Sequence, residues 1–497
     1  MANTAARAGL APTPAPAPAL AALRAAEDAV AGRREACEFR LDLPPLDPLA
    51  LWTLLPAEEA VYWKAPGPGP GPVAAAGAAW RVPFPADGGA SGEGEPWRRL
   101  AGAVVRVGAA GREEDDRGVR LFGGAAFDPD APSPDWGPFG RGDLVWPAWV
   151  LECEADRAVL RIAFGPDEDA PVRRARLAAT ARLVGRLCAA AGAGAGDGGP
   201  APASALPPTP PVLPPVVARR DLDRRRWAEM VEAGRARARD GRLRKIVLAR
   251  RCEIEFAAEP DPVAVLRRLA ARGGGEFVFG FRRAGACFVG ASPELLLERC
   301  GRRLRIEALA GTRRLAVPGG PDDGHAAALI AAAESLYGSG KDLEEHALVV
   351  RGIVDAVAPL AGDVAPPGWP AVRRIGDLAH LRAEIDVTLR PGVTTDEALA
   401  ALHPTPAVGG LPRREALAAI REVEPVGRGW YAGPVGWISA AGDAEFAVAI
   451  RSALLRGRAA WLYAGAGIVA ASEAEAEYAE TEGKLGRLLD ALAVEER

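Results

Sequence analysis

The sequence predicts an α+β fold, and three observations carry that reading. Four short apolar runs, Glu276–Arg282, Ala286–Gly290, Leu295–Arg299 and Leu304–Ala308, are joined by tight turns and predict an antiparallel meander. Two consecutive helical patterns follow, over Gly324–Tyr337 and Lys341–Leu360. Further strands at Gly433–Ile438, Ala444–Leu455 and Ala459–Ala464 precede a last helix, so helices are grouped instead of alternating with strands.

Taken in order, residues 1–32 are an Ala/Pro-rich leader expected to be disordered and to run into a short helix. Residues 33–190 form an amino-terminal β-rich portion. Its apolar runs lie at Ala60–Trp63, Val104–Val107, Arg120–Phe127 and Leu144–Leu151, with an alternating strand at Arg157–Phe164 and a helix at Arg173–Ala190. Residues 191–217 read as a Gly/Pro-rich linker. The formal GxGxxG at Gly194, Gly196 and Gly199 follows a helix and opens a polyproline run, the reverse of a dinucleotide-binding context. Residues 218–497 then carry the densest pattern, beginning with a helix at Leu222–Arg239 and a strand at Leu243–Phe256.

The 497 residues carry a net charge of −4 with 49% hydrophobic content, which gives no electrostatic footprint for nucleic acid or an anionic membrane. A small anionic substrate stays compatible, because a local site need not follow global charge. No run of about 18 apolar residues predicts a membrane helix. The six cysteines show no CxxC or Cys/His zinc spacing, as expected of reduced thiols in a cytoplasmic protein.

Candidate chemistry concentrates on two helices. After Trp461 the chain reads as strand, glycine turn and helix; Leu485, Leu488 and Leu492 share one arc, edged by Glu477, Glu480 and Lys484, while Glu475 and Glu482 point outward into solvent. The helix after Lys341 repeats the arrangement, with Asp342 and Glu345 beside Val349 and Ile353 and Glu344 outward. Carboxylates three residues apart share a face, so the two helices offer the oxygen ligands Mg²⁺ takes, with positions left for water and substrate. Two unrelated solvated faces fit the pattern equally well.

Within Ala444–Leu455, alternation sets Ala447, Ala449 and Arg451 opposite Phe446, Val448 and Ile450, leaving room for the guanidinium to grip a carboxylate or to reach water. Lys245 shares its strand face with Leu243, Val247 and Ala249, where it either loses solvation and serves as a base or snorkels. Glu294, held by Pro293 in a turn between strands, reads as a general acid or an exposed turn glutamate. His346 and His380 are the remaining titratable candidates, although a histidine in such a place is more often a hydrogen-bonded core or surface residue than a catalyst.

Eight blocks in order, KIVLAR, FVGASPELLLER, EALAGTRR, KDLEEHALVV, HPTPAVGGLP, GWYAGPVGWI, FAVAIRSALL and YAGAGIVAASEAEAEYAETEGK, resemble the chorismate-utilising enzymes, most closely the isochorismate synthases. The resemblance is dense over Trp227–Leu489 and more diffuse upstream, at VYWKAPG and LFGGAAFDPD. It implies large, mostly antiparallel sheets, sandwiched and flanked by helices, and chorismate as substrate. It further implies Mg²⁺ on Glu345 and Glu480 with Asp342 and Glu477 in support. Arg451, Lys484 and the turn at Gly465 match substrate-holding positions, as do Thr312, His380 and Ala407; Gly311 in the AGT turn matches a backbone contact on the leaving-group side. Lys245 matches a base that activates water for attack at C2, and Glu294 an acid that protonates the departing C4 hydroxyl.

Ala310 stands where covalent-lysine relatives carry their lysine, and Lys245 stands where ammonia-using anthranilate synthases lack one. Salicylate synthases keep that lysine, but PTPAVGGLP resembles the isochorismate type. The resemblance thus implies an isochorismate synthase serving menaquinone or siderophore synthesis, monomeric and without a glutaminase subunit. A salicylate synthase and a non-catalytic chorismate-binding protein are the alternatives.

Overall fold

The computed structural model describes the chain apart from residues 1–15, 32, 34, 56–57, 68–70, 85–96, 98–104, 108–118, 132, 155, 194–211, 272–274, 316–323, 377 and 495–497. Most of the linker, with the GxGxxG glycines, therefore lies outside the described residues.

Two sheets dominate, one of 13 and one of 10 strands among the described residues. Every pairing is antiparallel except that of Cys37–Leu43 with Val105–Val107, and ten α-helices among the described residues complete an α+β fold. Both sheets mix the two portions of the chain. In the larger, Glu59–Lys64 pairs with Phe277–Arg283; in the smaller, Arg120–Ala125 pairs with Pro434–Ser439. The two portions thus share their sheets and their core.

The sheets pack face to face over an aromatic core. Phe279, Phe281 and Phe288 of the larger sheet and Ile306, Val435 and Phe446 of the smaller belong to one buried cluster. Trp63 reaches across this layer to donate to Glu445 Oε1 at 2.7 Å, satisfying an indole N–H that burial would otherwise strand. Helices cover the opposite face of the larger sheet, where Leu485, Leu488 and Leu489 pack with Val289 and Leu462. Within the leader, Pro16–Ala31 is a helix with Leu23 and Val30 buried, as expected of the short helix into which it runs. Buried Arg173 fastens it by donating to Val30 O at 3.4 Å and Glu35 O at 2.9 Å.

Two departures from the sequence reading create the site. The expected meander is split: Phe277–Arg283 and Ala286–Ser292 form a hairpin in the larger sheet, whereas Leu295–Cys300 and Arg303–Arg314 form one in the smaller. Similarly, Ala444–Leu455 is two strands, Ala444–Val448 in the smaller sheet and Ser452–Arg456 in the larger. The chain changes sheet at Pro293–Glu294 and again at Ala449–Arg451, and the two crossings are bonded together. Val448 N–H donates to Glu294 O at 3.0 Å, Ser292 Oγ to Val448 O at 2.6 Å, and Ala291 N–H to Arg451 O at 3.1 Å. A local periodicity cannot report a change of sheet, because both halves keep their alternation.

The strand Leu378–Leu389 was absent from the sequence reading, although its Leu381, Ala383, Ile385, Val387 and Leu389 alternate inward with period two. It pairs with Arg303–Arg314 and brings His380 opposite Thr312. No helix of the described residues is long and apolar enough to cross a membrane.

Candidate active site

One cavity of about 230 Å³ is lined by thirteen of the residues singled out above: Lys245, Glu294, Gly311, Thr312, Asp342, Glu345, His380, Ala407, Arg451, Gly465, Glu477, Glu480 and Lys484. It opens where the sheet crossings meet the carboxylate-bearing helices Gly340–Val357 and Ala474–Ala491.

Lys245 opens the strand Lys245–Phe256 and is only 2% exposed. Its Nζ donates to Glu345 Oε1 at 2.9 Å, so its apolar strand face is completed by a carboxylate on a neighbouring helix. Burial acts most strongly on the Glu345 carboxyl and raises it, but the charge and hydrogen bond of Lys245 together with Lys484 and Lys341 outweigh burial, and the group lies below the ordinary glutamate range. Gly467 makes the approach possible. A Cβ there would stand 2.7 Å from Lys245 Cε and 3.0 Å from Glu345 Oε1.

The other three acidic residues that the two helices bring to the cavity also carry a cation: Glu480 holds Lys484 at 2.7 Å, Glu477 holds Lys341 at 3.5 Å, and Asp342 pairs with Arg313. Burial, reinforced by Glu480, pushes the Glu477 carboxyl above the ordinary range. Among the described residues no three His, Cys, Asp or Glu side chains close on one point. The donor set instead offers hard carboxylate oxygens from two helices, which fits a cation that takes one or two protein carboxylates and fills its shell with water and substrate oxygens.

Glu294 is 4% exposed, not an exposed turn residue, because its turn is the buried sheet crossing. Burial pushes its carboxyl up to about 7 while Lys245 and Lys484 pull it down, so much of it is protonated near neutrality. His380 lines the cavity as well. Its Nε2 lies 2.9 Å from Arg451 Nη2, which can only donate, so the ring proton sits on Nδ1 and faces Thr312 Oγ1 at 3.1 Å and Gly311 O at 3.3 Å. Burial and the neighbouring Arg451 keep the ring neutral, well below the ordinary histidine range. His346 is buried outside the cavity lining.

Arg451 is not on a regular strand face. It occupies the second crossing at φ 50°, a left-handed conformation that costs on the order of 1 kcal/mol or more in a non-glycine residue, and both it and its neighbour Ile450 line the cavity. Two glycine assignments also change. Gly465 lies inside the strand Ala459–Ile468, paired with Ala249, where Lys484 Nζ donates to its carbonyl at 2.9 Å. Gly311 is a bulge within Arg303–Arg314 at φ 72°, where the register with Leu378–Leu389 shifts. Glu475 is exposed as expected, but Glu482 holds Arg219 at 2.8 Å and pairs with the fully buried Arg250.

Sequence reasoning missed Gly467, Tyr431, Tyr463 and Arg428, all of which line the cavity. Gly467 had a signal, since Tyr463, Gly465 and Gly467 share one face of a strand that pairs with the Lys245 strand. Tyr431 and Tyr463 stack with centroids 5.1 Å apart; Tyr431 comes from a loop without periodicity and gave none.

Residues 21–493 match the family described as chorismate binding enzyme. The chain is 33% identical over 385 residues to isochorismate synthase MenF of Bacillus subtilis, covering 76% of each chain. It is 33% identical over 465 residues to the salicylate biosynthesis isochorismate synthase of Pseudomonas aeruginosa, covering 92% of this chain and 90% of the relative. Among solved structures it superposes on MenF, the menaquinone-specific isochorismate synthase from Escherichia coli, with a TM-score of 0.73 and 26% identity over 95% of this chain and 99% of the other. With its fold and nearly its whole length in agreement, the chain belongs to the chorismate binding enzyme family.

Proposed function

We propose that the protein is an isochorismate synthase that converts chorismate to isochorismate, and that Lys245 and Glu294 perform the proton transfers. The observation that carries this reading is a buried lysine and a buried carboxyl of opposite duty lining one cavity, the carboxyl held at about 7. Lys245 takes a proton from the water that adds at C2, and Glu294 gives its proton to the C4 hydroxyl as that leaves as water. One water enters and one departs, so the product is an isomer of the substrate.

Arg451 and Lys484 offset the substrate's two carboxylates, and the burial of Arg451 strengthens its attraction. Mg²⁺ is the proposed cofactor, on Glu345 and Glu480 with Asp342 and Glu477 in support, where its positive charge would polarise substrate oxygen. Gly311, Thr312, His380, Ala407 and Gly465 complete the substrate wall. We read the enzyme as a cytoplasmic monomer acting without a glutaminase subunit, its product serving menaquinone or siderophore synthesis; one relative's name specifies menaquinone and another's salicylate biosynthesis.

Incubating purified protein with chorismate and Mg²⁺, without ammonia, and separating the products tests this. Isochorismate alone supports the proposal, salicylate with pyruvate moves it to a salicylate synthase, and binding without turnover makes it a chorismate-binding protein.

A further inference from the structure

Glu276 stands behind the cavity, outside its lining, just before the strand Phe277–Arg283. Its side chain has no exposure to solvent, yet it is shared by two guanidiniums: Arg451 Nη1 at 3.4 Å from Oε1, and Arg487 on Oε2. Arg487 belongs to the helix Ala474–Ala491, which also presents Glu480 and Lys484 to the cavity. We infer that Glu276 is a positioning residue, which fixes the Arg451 guanidinium so that its unengaged edge meets a substrate carboxylate. This rests on the reading of Arg451 as a substrate-holding group.

The argument is one of geometry. A guanidinium has five N–H donors in a rigid fork. Arg451 spends Nη1 on Glu276 and Nη2 on the unprotonated Nε2 of His380, so both terminal nitrogens are engaged from the protein side. A long side chain held at two points has lost its rotamer freedom before substrate arrives, and binding no longer has to supply that ordering. A simple attraction for anions does not explain Glu276, because a buried negative charge beside Arg451 weakens its pull on a carboxylate. Orientation does, and so does charge compensation of the buried Arg451 and the partly buried Arg487 in the unliganded protein. The same carboxylate couples the second sheet crossing to the helix of Glu480, so the substrate-holding and cation-holding sides of the cavity share one anchor.

Glu276→Gln tests this. The amide keeps the shape but has one acceptor oxygen, and its NH₂ cannot face a guanidinium, so it cannot serve both arginines. The dissociation constant of chorismate, read by calorimetry, and KM are expected to rise about tenfold, with kcat changed less than threefold. In an Arg451→Ala background the same substitution is expected to alter the dissociation constant less than twofold. If Glu276→Gln does not fold, Glu276→Asp withdraws the charge by one methylene, and the same weakening is expected. An unchanged dissociation constant in a folded variant overturns the inference, as does a weakening that persists undiminished without Arg451. Wild-type protein that does not bind chorismate overturns this inference and the proposed function together; wild-type binding with an unaffected variant overturns this inference alone.

Discussion

Lys245 Nζ donates to Glu345 Oε1 at 2.9 Å, so the proposed base and a proposed cation ligand are each other's counterion. The cavity thus holds its opposing charges in balance: the lysine that must be a neutral amine to accept a water proton is the partner of a carboxylate that should take a cation.

Lys245→Ala should therefore remove turnover while leaving chorismate binding within about tenfold. Loss of general base catalysis is worth about a hundredfold to ten-thousandfold in kcat. Steady-state rates and calorimetric titration read the two effects separately, and a wild-type rate would exclude Lys245 from the base role.

Gly467→Ala places a methyl where 2.7 Å separates it from Lys245 Cε. The lysine side chain must move, so kcat should fall roughly tenfold or more, for an overpacking cost of about 1–3 kcal/mol. Melting temperature and kcat on the same preparation check this, and an unimpaired enzyme would show that the lysine's position is not critical.

Glu294 must be protonated to act. With its carboxyl at about 7, kcat/KM should fall as pH rises through about 7, following loss of one proton. The same group makes a stability statement. Its folded value lies above the ordinary 4.5, so the native state binds more protons between those limits and stability declines as pH rises from 4.5 to about 7. Glu294→Gln should abolish the alkaline decline in activity, lower kcat steeply, and melt at a higher temperature than wild type at pH 8. A wild-type pH profile in that variant would remove Glu294 from the acid role.

Glu480→Ala should raise the Mg²⁺ concentration needed for half-maximal activity at least tenfold, and calorimetric titration of Mg²⁺ without substrate should weaken in step. An unchanged titration would take Glu480 out of the ligand set.

How much of this was legible in sequence follows from the range of each interaction. Helical periodicity placed Glu477, Glu480, Asp342 and Glu345 at the rims of apolar faces, and the structure turns all four into one cavity. Local pattern could not pair Lys245 with Glu345, which lie 100 residues apart. Nor could it show that Glu294 and Arg451 mark adjacent crossings between sheets, because alternation continues on both sides of each crossing. The Leu378–Leu389 strand was readable from its alternation and was overlooked. Gly465 looked like a turn because glycine often marks one, whereas here it provides room beside Tyr431. Roles for these residues come from the family resemblance, which periodicity cannot supply.

The central claim is that water adds at C2 of chorismate as the C4 hydroxyl departs, and reaction in ¹⁸O-labelled water with mass spectrometry of the product tests it most directly. The account predicts isochorismate that carries one solvent oxygen as its ring hydroxyl. Unlabelled isochorismate, or salicylate in its place, would contradict it.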